Sequence, residues 1–271
     1  MCAVTLSNKR LYAFYQAEEH EGLPVVKEAG ISGYYASVGI AESDDNGSTW
    51  VKRGQIIKSA KPKDWAAYRG QSGRGNGLPG AVADPTSRYI FVYYTNLSVE
   101  NGRSPDICMA RSNLTIGPPL PGNWKKFYEG DFTEAGIGGK ETPVVDISSI
   151  AKASALYPHV AYSEYLKKYV MVFGINVKEE AFEELPAAKS GIYLGLSDDG
   201  LRWSVPIKLV TGYAFRFLGK PIAIDPSVIF DNQNGQAGWL VYAYSPKFTN
   251  GPLPGTPNFM VGRRMEFVKA E

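Results

Sequence analysis

Four stretches of the chain share one pattern, which is clearest in residues 78–94, LPGAVADPTSRYIFVYY. A proline precedes a short apolar run, a polar turn follows, and a second run is rich in aromatic and β-branched residues. This order of residue types predicts a β-hairpin, because turn-forming residues separate two strand-like segments. The pattern recurs with its proline in residues 157–173 and 225–244, and as a hairpin without the proline in residues 3–15.

A second pair of strand-like segments follows each hairpin after a loop. The predicted pairs cover residues 34–41 with 50–57, 106–111 with 124–128, 192–196 with 203–210, and 259–263 with 265–269. Four antiparallel strands that recur four times predict an all-β fold, a β-propeller of four-stranded antiparallel blades, because one such sheet needs a neighbour on each face to bury its apolar side chains. A β-sandwich has a similar strand content and is the competing interpretation.

The repeats divide the chain into blades at about residues 1–57, 77–128, 156–210 and 223–271. We therefore expect a single propeller domain that spans residues 1–271. Two segments, 147–155 and 179–188, have the composition of a short helix, whereas proline and glycine interrupt much of the remaining chain.

Composition and charge exclude several classes of protein. Lysine and arginine total 29 against 27 aspartate and glutamate residues, so the net charge is +2, and no basic block stands out. Nucleic acid is therefore not an expected partner. The hydrophobic fraction of 44% excludes intrinsic disorder, and no apolar run is long enough to predict a membrane span. The two cysteines form neither a disulfide framework nor a zinc motif, and the first residues lack a secretory signal, which leaves the cellular location open.

The direction of the strands predicts which loops share a face. In a four-stranded antiparallel blade, the loop between the second and third strands and the connection to the next blade lie at the same end of the strands. These segments are the long ones, at residues 18–33, 58–77, 95–105, 129–156, 176–190, 211–224 and 245–258. Long loops on one face of a rigid scaffold commonly carry binding and chemistry, so we expect the functional site on this face.

Two turns at the opposite end of the strands carry a shared motif. Residues 43–50, SDDNGSTW, and 197–203, SDDGLRW, place aspartate, glycine and tryptophan in a tight turn. We expect the carboxylates of Asp45 and Asp199 to accept backbone N–H groups, the glycine to supply a positive φ and the tryptophan to pack between sheets. These tasks are structural and not catalytic.

Two acids occupy positions on the predicted functional face that suit chemistry. Asp225 precedes the first strand of the fourth repeat, where Leu78 and Tyr157 hold the matching positions of two other repeats. Glu141 lies in a long connection, in the sequence Glu-Thr-Pro. A carboxylate at the inner rim of a propeller faces a funnel of low dielectric, which can tune its affinity for a proton. The structural alternative for each acid is a hydrogen-bonded group that supports its loop.

The turn at residues 43–50 matches the Asp-box motif of sialidase-like propellers, and the turn at 197–203 is a shortened relative; we call both Asp-box turns. Together with the repeats, the Asp-Pro-Ser-Val sequence at Asp225 and the Glu-x-Pro sequence at Glu141, they resemble the glycoside-hydrolase and sialidase-like propeller superfamilies. In particular, the chain is similar to the five-bladed group that contains arabinanases, β-xylosidases and β-fructosidases. This resemblance implies a glycoside hydrolase that cleaves an oligo- or polysaccharide by a two-carboxylate mechanism in the propeller funnel. It also implies that Asp225 is the base or nucleophile and that Glu141 is the general acid.

Six further residues are expected to bind the carbohydrate substrate: Glu18, Trp65, Arg69, Arg74, Tyr157 and His159. The aromatic rings would stack on sugar faces, and the arginines would reach an anionic or polyhydroxyl ligand from a glycine-rich stretch, residues 70–77, that we expect to be a flexible loop. The histidine has a structural alternative, since no nucleophile motif accompanies it. No cofactor is expected, although the resemblance allows a structural ion in the central channel.

Two departures from the five-bladed group leave an alternative function open. Only four repeats are visible, and the first begins within a few residues of Met1, although the leading acid of the group belongs to its first blade. Either an N-terminal segment is missing, or the barrel closes with fewer blades. A chain without that acid would bind sugar and not cleave it, so a non-catalytic carbohydrate-binding propeller is the alternative. A sialidase-like hydrolase is a further alternative, which requires three arginines to converge on a carboxylate.

Overall fold

The computed structural model describes residues 2–5, 10–22, 25–26, 31–63, 73–98, 105–150, 152–177, 189–213, 221–246 and 259–269. Every regular element within these ranges is a β-strand, which confirms the all-β prediction. None of the described residues forms a helix long and apolar enough to cross a membrane. The chain divides into two compact units, Met1–Pro143 and Val144–Glu271.

The first unit contains the strands of the first two predicted repeats. Its strands are β1 (Cys2–Thr5), β2 (Leu11–Glu19), β3 (Val25–Val26), β4 (Ile31–Ser32), β5 (Tyr34–Ser43), β6 (Val51–Ile57), β7 (Gly73–Ala83), β8 (Tyr89–Asn96), β9 (Asp106–Asn113), β10 (Trp124–Tyr128) and β11 (Asp131–Ala135). They pair in the order β1-β2-β5-β7-β8-β9-β10-β11, with β6 on β5 and with β3 and β4 as a separate pair. The antiparallel sets β1-β2-β5-β6 and β7-β8-β9-β10 match the predicted four-stranded repeats.

The apolar faces of these two sets bury each other. Phe14 of β2 and Trp124 of β10 meet edge to face with ring centroids 5.7 Å apart, and both side chains are buried. Aromatic pairs of this geometry contribute about 1 kcal/mol beyond the area that they bury. Ile40 of β5 and Val92 of β8 belong to the same buried cluster. Each four-stranded set therefore has one apolar face covered by the other set.

The glycine-rich stretch corrects one prediction. Residues 73–77 form the first half of β7 and not a flexible loop, while residues 70–72 lie outside the described residues. Tyr34–Ala36 of β5 pairs with this segment in parallel. Gly75 has a φ of +87°, and a Cβ there would lie 2.2 Å from the carbonyl oxygen of Ala36. Glycine is needed here because two backbones approach closely, which sequence alone does not distinguish from flexibility.

The second unit contains the last two predicted repeats. Its strands are β12 (Ala153–Ser163), β13 (Lys168–Val177), β14 (Gly191–Ser197), β15 (Ile207–Thr211), β16 (Ile222–Phe230), β17 (Ala237–Ser245) and β18 (Phe259–Glu266). One antiparallel sheet has the order β12-β13-β14-β15, as predicted for the third repeat, and the other has the order β16-β17-β18. Val172, Ile192, Val228 and Leu240 lie in one buried cluster, which draws on both sheets.

Two predictions for the second unit are wrong. The segments 259–263 and 265–269 were expected to be separate strands, but β18 runs unbroken along β17, with Arg264 opposite Trp239. The guanidinium of Arg264 lies 5.5 Å from the centroid of the Trp239 ring and also pairs with Asp231, so the strand continues where a turn was expected. Residues 147–155 contain no helix where the structure describes them, since β12 begins at Ala153. The other predicted helix, residues 179–188, lies outside the described residues.

One backbone feature recurs within the first strand of three hairpins. Asp225 was expected to precede its strand, but it lies inside β16 (Ile222–Phe230). Leu78, Tyr157 and Asp225 have φ values of 52°, 56° and 53°, and each precedes a proline. Each also lies at a shift of register, where β7, β12 and β16 bulge against the next strand. Residues other than glycine rarely adopt this conformation, and a bulge changes the direction of a side chain. The shared geometry confirms the sequence alignment of these three repeats.

Candidate functional site

A cleft in the first unit collects the ends of several predicted functional-face connections. Its volume is about 320 Å³. The residues that line it are Ser59, Ala60, Lys61, Asn96, Ser98, Asp106, Cys108, Tyr128, Lys140, Glu141 and Pro143. Three follow β6, four lie at or near the junction of β8 and β9, Tyr128 ends β10, and the last three follow β11. They thus belong to three of the connections that the strand directions predict to share a face.

Glu141 lies at the wall of this cleft with its carboxylate held on both oxygens. Its side chain is 7% exposed. Oε1 accepts a hydrogen bond of 3.1 Å from Nδ2 of Asn76, and Oε2 pairs with Nζ of Lys126. Asn76 belongs to β7 and Lys126 to β10, so two strands of one sheet position the acid.

Lys126 is completely buried, which is rare for a lysine. Besides Glu141, its Nζ atom donates to the carbonyl oxygens of Lys58 at 2.8 Å and Gly139 at 2.9 Å, and contacts Oδ1 of Asn76 at 3.3 Å. The alternation of β10 explains the burial, because Trp124 and Lys126 point to the buried side while Lys125 is exposed. A buried ammonium of this kind requires an opposite charge, and Glu141 supplies it.

Two further groups beside Glu141 stay neutral near pH 7. Burial raises the pKa of the Tyr94 phenol well above its usual value, and the charge of Glu141 adds to this effect. Burial and the same carboxylate raise the pKa of the Cys108 thiol in the same direction. The interior end of the cleft therefore combines one ion pair with an uncharged phenol and thiol.

The remainder of the cleft offers groups that suit a polyhydroxyl ligand. Asp106 begins β9, Asn96 ends β8, and the ammonium of Lys140 lies 5.5 Å from the centroid of the Tyr128 ring. A hydrogen bond to Glu129 raises the pKa of Tyr128. Carboxylate and amide oxygens accept hydroxyl protons, amide and ammonium groups donate to sugar oxygens, and an aromatic ring can cover an apolar sugar face.

Glu18 and Arg74 are the other predicted site residues that the structure describes in the first unit. Glu18 lies near the end of β2, where His20 Nε2 approaches its Oε2 at 3.2 Å and Gln16 donates to it. Arg74 lies in β7 opposite Tyr35. Neither residue belongs to the lining of the cleft as the structure describes it. Trp65 and Arg69 lie outside the described residues.

Asp225 and Tyr157 lie in the second unit at matching bulges. The side chain of Asp225 is exposed at the surface of β16. The ring of Tyr157 packs against a small apolar cluster of Tyr213, Ile222 and Ile224, of which the last precedes Asp225 directly. The aromatic ring and the carboxylate are thus carried by two strands, β12 and β16, that contact each other.

His159 connects the same two strands. Its Nδ1 atom accepts a hydrogen bond of 3.3 Å from the backbone N–H of Val228. Burial lowers the pKa of His159 to about 4, so the ring is neutral and Nδ1 can act as an acceptor near pH 7. This contact supports the structural alternative, and a role in binding substrate stays a prediction.

The two Asp-box turns make the backbone contacts that the sequence predicts. Hydrogen bonds from the hydroxyl and backbone N–H groups of Thr49 lower the pKa of Asp45 to about 2. Burial opposes such a shift at Asp199, but hydrogen bonds from the backbone of Arg202 and Leu201 outweigh it and lower its pKa to about 2. Both carboxylates thus accept hydrogen bonds from residues of their own turns.

The tryptophan of the first turn behaves differently from the prediction. Trp50 is 39% exposed and does not fill a space between sheets. Its indole N–H donates a hydrogen bond of 3.0 Å to the carbonyl oxygen of Gly47, so the ring closes its own turn. Trp50 thus stabilises the turn that contains it and does not pack between sheets.

Sequence reasoning missed Lys126 and Asp106. Period-2 alternation with Trp124 places Lys126 on the buried face of a predicted strand, and a lysine there needs an acidic partner. Asp106 opens a predicted third strand, at the end that faces the functional side. Both signals were present in the sequence, but neither indicates which acid the lysine meets.

Glu141 and Asp225 belong to different compact units, so their joint action stays a prediction. Within the described residues no group of three or more histidine, cysteine, aspartate or glutamate side chains could hold a metal ion. The presence of an ion in a central channel also stays a prediction.

Comparison with known proteins shows the fold. No protein-family model matches the sequence, and no curated protein matches it significantly. A family 117 glycoside hydrolase from the marine bacterium Zobellia galactanivorans matches with a TM-score of 0.52 at 13% identity, over 95% of this chain and 66% of that chain. The family GH93 α-L-arabinofuranosidase of Fusarium graminearum, in complex with arabinobiose, matches with a TM-score of 0.50 at 10% identity, over 95% of this chain and 72% of that chain.

A protein of unknown function from Dyadobacter fermentans matches with a TM-score of 0.51 at 12% identity, over 98% of this chain and 52% of that chain. The chain thus spans about half to two thirds of the length of the first solved structures that it matches, from 52% to 66%. Identities this low report on fold alone. They confirm the resemblance predicted from the sequence: the fold of this chain is that of the β-propeller glycoside hydrolases.

Proposed function

We propose that the chain is a glycoside hydrolase that cleaves a glycosidic bond of an oligo- or polysaccharide by a two-carboxylate mechanism, within a propeller of the five-bladed type formed as a single domain. The observation that carries this proposal is the cleft around Glu141, where a nearly buried carboxylate meets amide, hydroxyl, ammonium and aromatic groups. The fold likeness to glycoside hydrolases supports it.

The chemistry requires two carboxyl groups with different tasks. One donates a proton to the leaving oxygen, and the other activates water or attacks the sugar carbon directly. We assign the first task to Glu141 and the second to Asp225, as the resemblance implies. Asp225 is suited to contact with a ligand because its side chain is exposed and its bulged backbone fixes its direction.

Sugar binding would use the aromatic and polar groups near these acids. Tyr157 is anchored by an apolar cluster beside Asp225, which lets one ring face stack on a sugar. In the first unit, Asn96, Asp106 and Tyr128 would bind hydroxyl groups within the cleft. The arabinobiose bound by the structurally similar Fusarium enzyme is a natural first ligand to test.

Paired substitutions test the assignment. Hydrolysis of nitrophenyl glycosides and natural oligosaccharides is measured for the wild type, Glu141→Gln and Asp225→Asn. Matched controls are Glu164→Gln and Asp198→Asn, whose exposed acids lie in turns at the opposite end of the strands. We expect each site variant to lose roughly 100-fold or more of its rate and each control to keep it. Equal rates in all five proteins would reject the two-carboxylate assignment.

One observation favours a second candidate, a non-catalytic carbohydrate-binding propeller. The ammonium of Lys126 compensates the charge of Glu141, whereas a general acid must carry a proton into the reaction. Calorimetry with a broad glycan set distinguishes the two functions, since binding without turnover supports the module and turnover supports the enzyme. The sialidase-like alternative stays a prediction, because Arg74 is described but Arg69, Arg103 and Arg216 lie outside the described residues.

A further inference from the structure

The buried end of Lys126 is surrounded by oxygen atoms from separate segments of the first unit. They are the carbonyl oxygens of Lys58 and Gly139, Oδ1 of Asn76, and Oε2 of Glu141. The face of the Tyr94 ring adds a cation–π contact, with Nζ 5.9 Å from its centroid. Such a set of oxygen ligands around one positive centre resembles the environment of a bound cation.

We propose that Lys126 acts as the internal cation of the Glu141 cleft. Its ammonium fixes the position of the Glu141 carboxylate. It also fixes the two connections that line the cleft, one after Lys58 and one after Gly139. The proposal concerns the architecture of the cleft and does not depend on sugar chemistry.

The order of residues along the chain explains why one ammonium can fix both connections. Ser59, Ala60 and Lys61 follow directly after Lys58, while Lys140 and Glu141 follow directly after Gly139. The two connections are already joined by backbone hydrogen bonds, from Lys58 N to Gly136 O at 3.0 Å and from Gly138 N to Lys58 O at 3.1 Å. Lys126 ties this junction to Glu141 and, through Asn76, to β7.

The balance of charge and hydrogen bonding shows why a cation is required. An ammonium has donors and no acceptor, so every contact that it makes here is of the correct polarity. Removal of the ammonium alone would leave the buried carboxylate without its counter-charge and would remove a donor to the carbonyls of Lys58 and Gly139. Breaking a buried pair on one side is much more costly than replacing both partners.

Chemical rescue tests the proposal directly. In Lys126→Ala, the missing atoms are the Cγ, Cδ and Cε methylene groups and the ammonium, which together have the shape of n-propylammonium. We expect the melting temperature to fall by roughly 6–15 °C. Added n-propylammonium chloride should restore at least half of this loss, whereas n-propanol or sodium chloride at equal concentration should not. Lys125→Ala is the matched control, since its exposed side chain lies next in sequence on the same strand, and it should neither melt early nor respond to the amine.

A double-substitution cycle keeps the proposal testable if Lys126→Ala does not fold. The wild type, Lys126→Met and Glu141→Gln are each compared with Lys126→Met/Glu141→Gln, which removes both charges. We expect the double variant to melt at a higher temperature than Lys126→Met, because it no longer buries an uncompensated carboxylate. Additive losses at positions 126 and 141, or equal rescue of Lys126→Ala by n-propanol and n-propylammonium, would overturn the proposal.

Discussion

Tyr157 and Asp225 adopt the same left-handed backbone conformation, with φ values of 56° and 53°, at bulges within β12 and β16, the first strands of the third and fourth repeats. A tyrosine is poorly suited to this conformation, whereas an aspartate tolerates it better. Strain of this kind persists where the surrounding structure imposes it, and it often accompanies binding or catalysis. The third and fourth repeats therefore share this backbone conformation at one equivalent position, although the residue type at that position differs.

Substitution at Asp225 should separate backbone strain from chemistry. Asparagine tolerates a positive φ as well as aspartate does, so Asp225→Asn should destabilise the protein less than a β-branched substitution does. Asp225→Val places a β-branched residue there and should cost roughly 1–2 kcal/mol. Urea unfolding measures both values, and equal stability of the two variants would show that the bulge relaxes.

His159 should make stability depend on pH in a window set by its own titration. Its folded-state pKa of about 4 lies below the ordinary value of 6.5, so the unfolded chain binds more protons between these values. The free energy of unfolding should therefore decrease by up to about 3 kcal/mol as the pH falls from 6.5 to 4.

The histidine contribution can be isolated by substitution. His159→Gln should remove it, because a glutamine oxygen can accept from Val228 without titrating in this range. Urea unfolding at several pH values provides the comparison, and a profile unaltered by His159→Gln would contradict the assignment.

Gly75 should tolerate substitution less than another glycine of similar conformation. Gly75→Ala combines an unfavourable φ with a contact of 2.2 Å to the carbonyl oxygen of Ala36, so we expect a loss of roughly 2–3 kcal/mol. Gly122→Ala has a comparable φ of +93° but no neighbouring atom within 4 Å, and should cost only about 1 kcal/mol. Thermal unfolding of both variants measures the difference, which reports the close approach of β5 and β7.

Asp199 should matter for stability and not for ligand binding. Its carboxylate accepts the backbone N–H groups of Leu201 and Arg202, so Asp199→Ala should lower the free energy of unfolding by about 1–2 kcal/mol. Affinity for any glycan that the wild type binds should be unchanged. A loss of affinity in a folded Asp199→Ala protein, measured by calorimetry, would show that the Asp-box turn belongs to the site.

Much of the fold could be predicted from short-range patterns in the sequence. The hairpins at Leu78, Tyr157 and Asp225 were predicted because proline, a polar turn and aromatic residues recur in the same order, and each of these signals acts within a few residues. The fourth repeat was misjudged at Arg264, because its ion pair with Asp231 depends on a distant turn. Gly75 was predicted to lie in a flexible loop. The strand that approaches it is β5, which is not the strand directly before β7 in the sequence, so local pattern does not reveal the contact.

The candidate site was predictable only in part. Glu141 was identified by its position in a long connection, and the cleft confirms that it lies among the ends of several strands. Its pairing with Lys126 was not predicted, because a strand pattern shows that a lysine is buried but not which group receives its charge. Long-range partners of this kind arise from packing, which a single sequence does not specify.

The parallel pairing of Tyr34–Ala36 with Gly73–Gly75 has a consequence for how the first unit opens. It makes a continuous ladder of hydrogen bonds from β1 to β11, so separation of the two hairpin sets requires rupture of backbone bonds as well as loss of side-chain packing. Amide protons in β2 and β8 should therefore exchange with deuterated water through a shared cooperative event, with similar protection under native conditions.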